Sequence, residues 1–238
     1  MSGLFETPLR ELKDFEDLTA ALAKKDGPVA VSGCMDSQKV HLLYEAAKDA
    51  KIRLVVTYDD TRAREIYEDL CFFDSNTWLY PARDLLFFNA DIHGNLLTKQ
   101  RMAVFRHLME DTSGWIVTTL DGLMDHLLPL KYLKDQVLSV KSGQTVDVDK
   151  WKKRLSQLGY ERMGQVDGMG QFSVRGGIID IFPLTEELPV RIELWGDEVD
   201  SIRTFDLESQ RSVEELDQVR IYPATEMPLT EEQIREGI

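Results

Sequence analysis

Cysteine is nearly missing from this chain, with Cys34 and Cys71 the only two in 238 residues. They stand far apart and beside no histidine pair, so neither a disulfide framework nor a zinc site is expected, and a reducing compartment fits. Histidine is scarce as well. His41, His93, His107 and His126 lack the helical or short-loop spacing of metal ligands, and no serine or cysteine sits in a nucleophile elbow; each reads as structural. No apolar run approaches the roughly 20 residues that span a bilayer. The first residues lack the basic-then-apolar order of a secretion signal, and a soluble, cytoplasmic protein is expected. Positive charge is also in deficit: 28 Lys+Arg against 42 Asp+Glu leave a formal net charge of -14, which repels phosphate backbones. Strong direct nucleic-acid binding is therefore not expected. Internal repeats and low-complexity tracts are missing too.

What is present is an ordinary globular composition, 43% hydrophobic, enough for one sizeable core and a smaller one. In the first half, short apolar runs at 28–32, 53–58, 78–80 and 115–120 predict strands. Between them, Val40, Leu43, Ala46, Ala47 and Ala50 share one helical face, as do Ala63, Ile66, Tyr67 and Leu70, and less regularly Leu97, Val104, Phe105 and Leu108. That alternation predicts a parallel, helix-covered sheet. The pattern breaks around Pro129. Beyond it the chain reads as a strand, one short helix over 148–158, and strands at 172–182, 190–195, 199–205 and 219–222, with turns at Gly196-Asp197 and around Glu214-Glu215. The fold class expected is α/β with an inserted smaller α+β domain built on an antiparallel sheet. A domain boundary is expected after 127.

Gly33-Cys-Met-Asp-Ser-Gln-Lys-Val40 lies where the first strand meets the first helix, the setting of a phosphate-binding loop. Gly33 and Lys39 fit the spacing of that motif. Gln38, however, replaces the glycine that lets the backbone wrap phosphates, and Val40 replaces the hydroxyl that ligates magnesium. Two origins stay open, chance spacing and a decayed nucleotide site. Neither supports catalysis, and no cofactor is expected. Leu120-Asp-Gly122 is a poor substitute for the acidic motif of an ATPase, and Cys34 reads as a spectator thiol.

Several other features have plain readings. Lys152, Lys153 and Arg154 form a solvated helix face, and the pairs Asp59-Asp60, Glu186-Glu187 and Glu214-Glu215 are solvated charge. The apolar run 85–88 reads as core or as a packing surface. The most informative stretch is 160–183. Phe172, Val174, Ile178, Ile179 and Ile181 suit a sheet, and Gly168, Gly170, Gly176 and Gly177 let the backbone turn or approach a neighbour closely. Arg162 and Arg175 stand inside it. An exposed arginine on a rigid strand can grip a carboxylate with both arms of its fork. The competing reading for Arg175 is an internal ion pair with Asp180 or Glu193. Strict alternation places Ser173, Arg175, Gly177 and Ile179 on one face, unless the Gly176-Gly177 pair changes the register.

This stretch, continued by Val190-Arg-Ile-Glu-Leu-Trp195 and the segment 202–211, resembles the module shared by UvrB and the bacterial transcription-repair coupling factor. The likeness is strong over 155–225. It is looser elsewhere, where it includes Leu79-Tyr-Pro81 and Ile221-Tyr-Pro-Ala224. UvrB keeps an intact nucleotide loop and a long aromatic hairpin, whereas Tyr80 to Asn89 leads quickly into a helix, so the coupling factor is the nearer match. The resemblance implies a degenerate P-loop NTPase-like first domain (1–127, like UvrB domain 1a), a UvrA-binding domain (128–217, like UvrB domain 2) and a return to the first domain (218–238, the start of domain 1b). It implies UvrA as partner, with Arg162 and Arg175 as docking residues and Ser173 where UvrB has another arginine; strict alternation, which places Ile179 on the Arg175 face, adds Ile179 as a further expected contact. Other domains of a longer polypeptide would mask the docking face, and RNA polymerase and DNA would engage regions beyond this fragment. The expected role is a non-catalytic module that recruits nucleotide excision repair to stalled RNA polymerase. The alternative is an ATP-dependent DNA helicase or damage verifier, which needs a working nucleotide loop.

Overall fold

The computed structural model describes residues 8, 9, 11–83 and 92–228. The chain divides into two compact units, the first made of Met1–Leu79 with Ser113–Leu120 and the second of Tyr80–Thr112 with Asp121–Ile238. The protein is mixed α/β, with parallel and antiparallel pairing both present.

The first unit contains helices α1 (Lys13–Lys24), α2 (Asp36–Ala47) and α3 (Asp60–Phe73) and strands β1 (Ile52–Thr57), β2 (Thr77–Tyr80, its last residue belonging to the second unit) and β3 (Gly114–Thr119). The strands lie in the order β1-β3-β2, and β1 runs parallel to β3. Helix α3 starts where Asp59 accepts a hydrogen bond from the Arg62 amide at 2.7 Å, satisfying one of the donors that a helix start leaves open. Its apolar stripe, Ala63, Ile66 and Leu70, packs with Val40, Leu79, Trp115 and Val117 into one buried cluster. Gly114 has to be glycine: a Cβ there would lie 2.3 Å from the Trp78 ring.

One expected strand is not formed. Residues 28–32 are irregular, no strand pairs with them among the described residues, and Val29 and Val31 are exposed. Strand-forming side chains give a strand only when a second backbone lies alongside to complete the ladder. The outer row of β1, Leu54 and Val56, is exposed as well, so the expected helix cover is incomplete on that strand.

The second unit holds α4 (Ile92–Met109), α5 (Leu130–Asp135), β4 (Leu138–Lys141), α6 (Val148–Gln157), β5 (Glu161–Arg162), β6 (Gln171–Arg175), β7 (Ile178–Ile181), β8 (Val190–Trp195), β9 (Glu198–Phe205), β10 (Ser212–Glu215) and β11 (Gln218–Ile221). Six strands form a sheet in the order β10-β9-β8-β7-β6-β5, antiparallel throughout except for the β5–β6 pair. Its buried side carries Phe172, Ile179, Ile181, Val190, Ile192 and Ile202, and Leu155 and Leu158 are buried at and just past the end of α6. Asp147 caps α6 by accepting from the Lys150 amide at 3.0 Å, and Gly159 takes the left-handed conformation just beyond its end. Glu214 and Glu215, expected in a turn, belong to strand β10, all four of whose residues are exposed.

Strand β11 pairs with β4, and the Ala224 amide donates to the Leu158 carbonyl at 2.8 Å. Helix α4 is tied into the same unit by charge. The Arg101 side chain is fully buried and holds Glu226 with two nitrogens at 2.5 and 2.8 Å, Asp125 at 2.8 Å, the Pro81 carbonyl at 2.7 Å and the Tyr80 hydroxyl. Burial, the largest single influence, works to lower the Arg101 pKa, but the hydrogen bond to Glu226 and the charges of Glu226, Tyr80 and Asp125 together raise it, and the cation is reinforced. Further along α4, Arg106 reaches Glu186 at 2.9 Å, and the Tyr222 hydroxyl donates to Glu110 at 2.6 Å. Helix α4 and residues 218–224 thus both belong to the strand-rich unit.

Candidate protein-interaction surface

The hairpin β6–β7 sets the geometry of the candidate site. Gly176 and Gly177 alone connect its strands, and Gly176 has φ +58°, which a two-residue hairpin turn needs and glycine supplies cheaply. Arg175 therefore pairs with Ile178, Val174 with Ile179, and Ser173 with Asp180. This register corrects one expected contact residue. Ile179 lies opposite Val174 and beside Ile192, is fully buried, and belongs to the core; with two turn residues the alternation resumes one step out of phase with an uninterrupted strand.

On the other side of the sheet the same register aligns Ser173, Asp180, Arg191 and Arg203 in one row and Arg175, Ile178, Glu193 and Ser201 in the next. Asp180 is almost fully buried and is held bidentately by Arg191, Nε to Oδ1 at 2.7 Å and Nη2 to Oδ2 at 3.0 Å. The hydrogen bond to Asp180 raises the Arg191 pKa, and the guanidinium also lies 4.4 Å from the centre of the Phe205 ring. Arg203 and Ser201 converge on Glu193 Oε2 at 2.7 and 3.0 Å. Of the two internal partners weighed for Arg175, Asp180 is the one used: Nη2 reaches Oδ2 at 3.2 Å. The Arg175 side chain is nonetheless 49% exposed, and its Nε and Nη1 make no hydrogen bond among the described residues. The carboxylate it touches is already neutralised from behind.

Arg162 stands on β5, the edge strand, and is exposed. Its guanidinium makes no hydrogen bond or ion pair among the described residues, and its charge adds only a minor part to the lowering of the Asp149 pKa at the start of α6, which comes chiefly from the hydrogen bond to Lys152. Arg162 pairs in register with Phe172, three positions before Arg175 on the neighbouring strand. That spacing corresponds to about 10 Å along β6. The register also assigns Arg162 to the Phe172 side and Arg175 to the opposite one, so the two arginines share an edge and a tip rather than one flat face. Ser173 does not face outward. It is buried and donates to the Gly164 carbonyl at 3.0 Å. Nor do the cations of α6 form a free stripe: Lys152 pairs with Asp149 at 2.9 Å and Arg154 donates to Gln136 at 2.5 Å.

The loop after the irregular segment 28–32 has a different character. Gly33 has φ +81°, and α2 begins at Asp36, so an acidic side chain occupies its first turn. Gln38 reaches back to accept from the Met35 amide at 3.2 Å. Lys39 Nζ lies 2.7 Å from Asp36 Oδ1, and this hydrogen bond, ahead of the charge of Lys39 and then of Arg62 at 3.3 Å, holds the Asp36 carboxyl below its ordinary pKa. Val40 is 2% exposed and part of the apolar cluster. Of the histidines, His41 stacks on Phe73 with centroids 5.6 Å apart, and His107 lies 3.2 Å from the Thr112 hydroxyl, its pKa lowered by burial. The apolar run 85–88 lies outside the described residues. Among those described, no helix is long and apolar enough to cross a membrane.

Residues 138–227, which span β4 to the Glu226 anchor, match the UvrB interaction domain. The chain as a whole is similar to transcription-repair-coupling factors. It is 34% identical to that of Staphylococcus epidermidis over 238 residues, covering 99% of this chain and 20% of the relative. The corresponding figures are 33% over 235 residues, 98% and 20% for Staphylococcus aureus strain Mu50, and 33% over 226 residues, 94% and 19% for Staphylococcus haemolyticus. The chain thus spans about a fifth of the length of the curated relatives it matches. The hairpins just described accordingly fall inside the stretch that matches the UvrB interaction domain, and nearly the entire chain is similar to about a fifth of these transcription-repair-coupling factors.

Proposed function

We propose that this chain is a non-catalytic docking module that binds UvrA through the edge and hairpin tip of its six-stranded sheet. In a protein of this kind it would recruit nucleotide excision repair to a stalled RNA polymerase. The observation that carries the reading is Arg175. It is half-exposed on a rigid turn, its internal carboxylate partner is already satisfied by Arg191, and two of its nitrogens remain available for a carboxylate on another protein. Arg162 adds a second exposed cation on the neighbouring edge. Both fall within the residues that match the UvrB interaction domain.

The Gly33–Val40 loop supports a non-catalytic role for the same chain, and we read it as the worn remnant of a P-loop in a P-loop NTPase-like first unit. Asp36 sets a negative charge at the helix start, where such a loop would hold a phosphate, and draws Lys39 to itself. Val40 is committed to the core and offers no ligand to magnesium. ATP hydrolysis, DNA translocation and contact with RNA polymerase belong, on this reading, to the four-fifths of such proteins that this chain does not span. Intramolecular masking of the docking face would come from there as well.

The test is titration of UvrA with the purified chain and with Arg162→Glu/Arg175→Glu. Loss of binding by a double variant that still unfolds in a single cooperative transition well above the temperature of the titration supports the proposal. Binding by the double variant as tight as that of the unaltered chain overturns it.

A further inference from the structure

The β8–β9 turn carries a side chain that neither the resemblance nor the core explains. Trp195 is 84% exposed, the most exposed of the large hydrophobic side chains among the described residues. An indole left in water on a well-ordered turn is the kind of group that interfaces bury.

Its place on the Arg175 side of the sheet follows from the backbone. The Leu194 amide donates to the Gly177 carbonyl at 2.7 Å, which ties the β8–β9 turn to the β6–β7 turn. The approach is so close that a Cβ on Gly177 would lie 2.7 Å from the Leu194 carbonyl oxygen. Leu194 pairs with Val199, which is buried in the core, so Trp195, the next residue, projects to the opposite side. That is the side of Glu193 and Arg175. Trp195 pairs with Glu198, and both Asp197 and Glu198 are exposed at the same tip.

We propose that Trp195 is the apolar anchor of the docking surface, inserted into a slot on the partner protein next to the carboxylate that Arg175 grips. The inference rests on the UvrA-docking reading above and adds to it the shape and charge of what must be met. The partner offers a carboxylate for the guanidinium, an apolar pocket for the indole, and a basic residue opposite Asp197 and Glu198. Nucleic acid is a poor occupant, because its phosphates would confront both of those carboxylates.

Titrations of UvrA with the chain, Trp195→Ala, Trp195→Phe and Arg175→Glu test the assignment, with the unfolding midpoint of each variant recorded. Trp195→Ala is expected to weaken binding on the order of 30-fold, the effect of removing an interface hot spot, with the midpoint unchanged because the side chain packs against little of its own protein. Trp195→Phe is expected to keep most of the affinity. If Trp195→Ala binds as tightly as the unaltered chain while Arg175→Glu does not, the anchor is refuted and the docking reading survives. If the unaltered chain itself fails to bind UvrA, both are refuted.

Discussion

The Gly33–Val40 loop and the β6–β7 tip are built from similar parts: a left-handed glycine, an exposed cation and an aspartate close by. They differ in what neutralises the aspartate. In the loop, Asp36 is exposed and Lys39 closes on it at 2.7 Å, so each charge is occupied with the other. At the tip, Asp180 is buried and clasped by Arg191, and Arg175 needs only one nitrogen to touch it. A cation on a turn is available to a partner when a second, more deeply placed cation has already satisfied the local carboxylate. Counting charges along the sequence does not reveal this, because Lys39 and Arg175 look alike there.

The contrast can be broken at its deepest point first. Asp180→Ala removes the carboxylate that compensates Arg191 and is expected to destabilise the chain by about 3 kcal/mol, measured by denaturant unfolding. A variant of undiminished stability would mean that the buried pair is dispensable. Next in size, Arg162→Glu/Arg175→Glu should cost about 2 kcal/mol or more of UvrA affinity, with a smaller loss of stability because the reversal removes the Arg175 contact to Asp180. Gly177→Ala forces the two turns apart and is expected to cost about 1–3 kcal/mol of stability through the clash with Leu194. It should weaken UvrA binding as well, since it separates Arg175 from Trp195. The smallest effect belongs to the loop. Lys39→Ala should leave the unfolding midpoint and UvrA binding unaltered, and its trace is a carboxyl titration. Asp36 loses its main support and moves up toward the ordinary value of 3.8, which NMR can follow. In the unaltered chain that carboxyl is depressed in the folded state, so its small contribution to stability is present above the unfolded value and fades as pH falls through the folded one.

Much of this architecture was legible in the sequence. The strands at 53–58, 78–80, 115–120, 190–195 and 199–205 and the helix at 148–158 appear within a residue or two of their expected bounds, because each buries apolar side chains, on one face in most and along the whole length of β3. Two segments failed for opposite reasons. Residues 28–32 have the side chains of a strand but no strand paired with them among the described residues, whereas Ser212–Glu215 is exposed and half acidic and is a strand because β9 offers its edge. Pairing is a tertiary fact that local composition does not record. At the candidate site, Arg162 and Arg175 were singled out as exposed cations on a sheet, and both do lie in solvent. Ile179 was misassigned because the face on which a side chain emerges after a turn depends on whether the turn holds an odd or even number of residues. Trp195 was passed over as one more apolar residue in a strand; the Gly196-Asp197 turn directly after it was the available signal that it stands at a tip. Arg191, which frees Arg175, was hidden because its partner Asp180 lies on another strand.

The Arg101–Glu226 clasp bears on how small a working version of this protein can be. Arg101 precedes the matched domain by nearly forty positions, while Glu226 is its penultimate residue. Excising 138–227 alone would strand an acid in the interior with its counter-ion left behind on a discarded helix, and would also take Arg106 from Glu186 and Glu110 from Tyr222. The homology boundary is thus not a place where the polypeptide can be cut without injury. A minimal autonomous version has to begin no later than the Tyr80–Pro81 end of β2, which supplies the hydroxyl and carbonyl that complete the guanidinium's coordination.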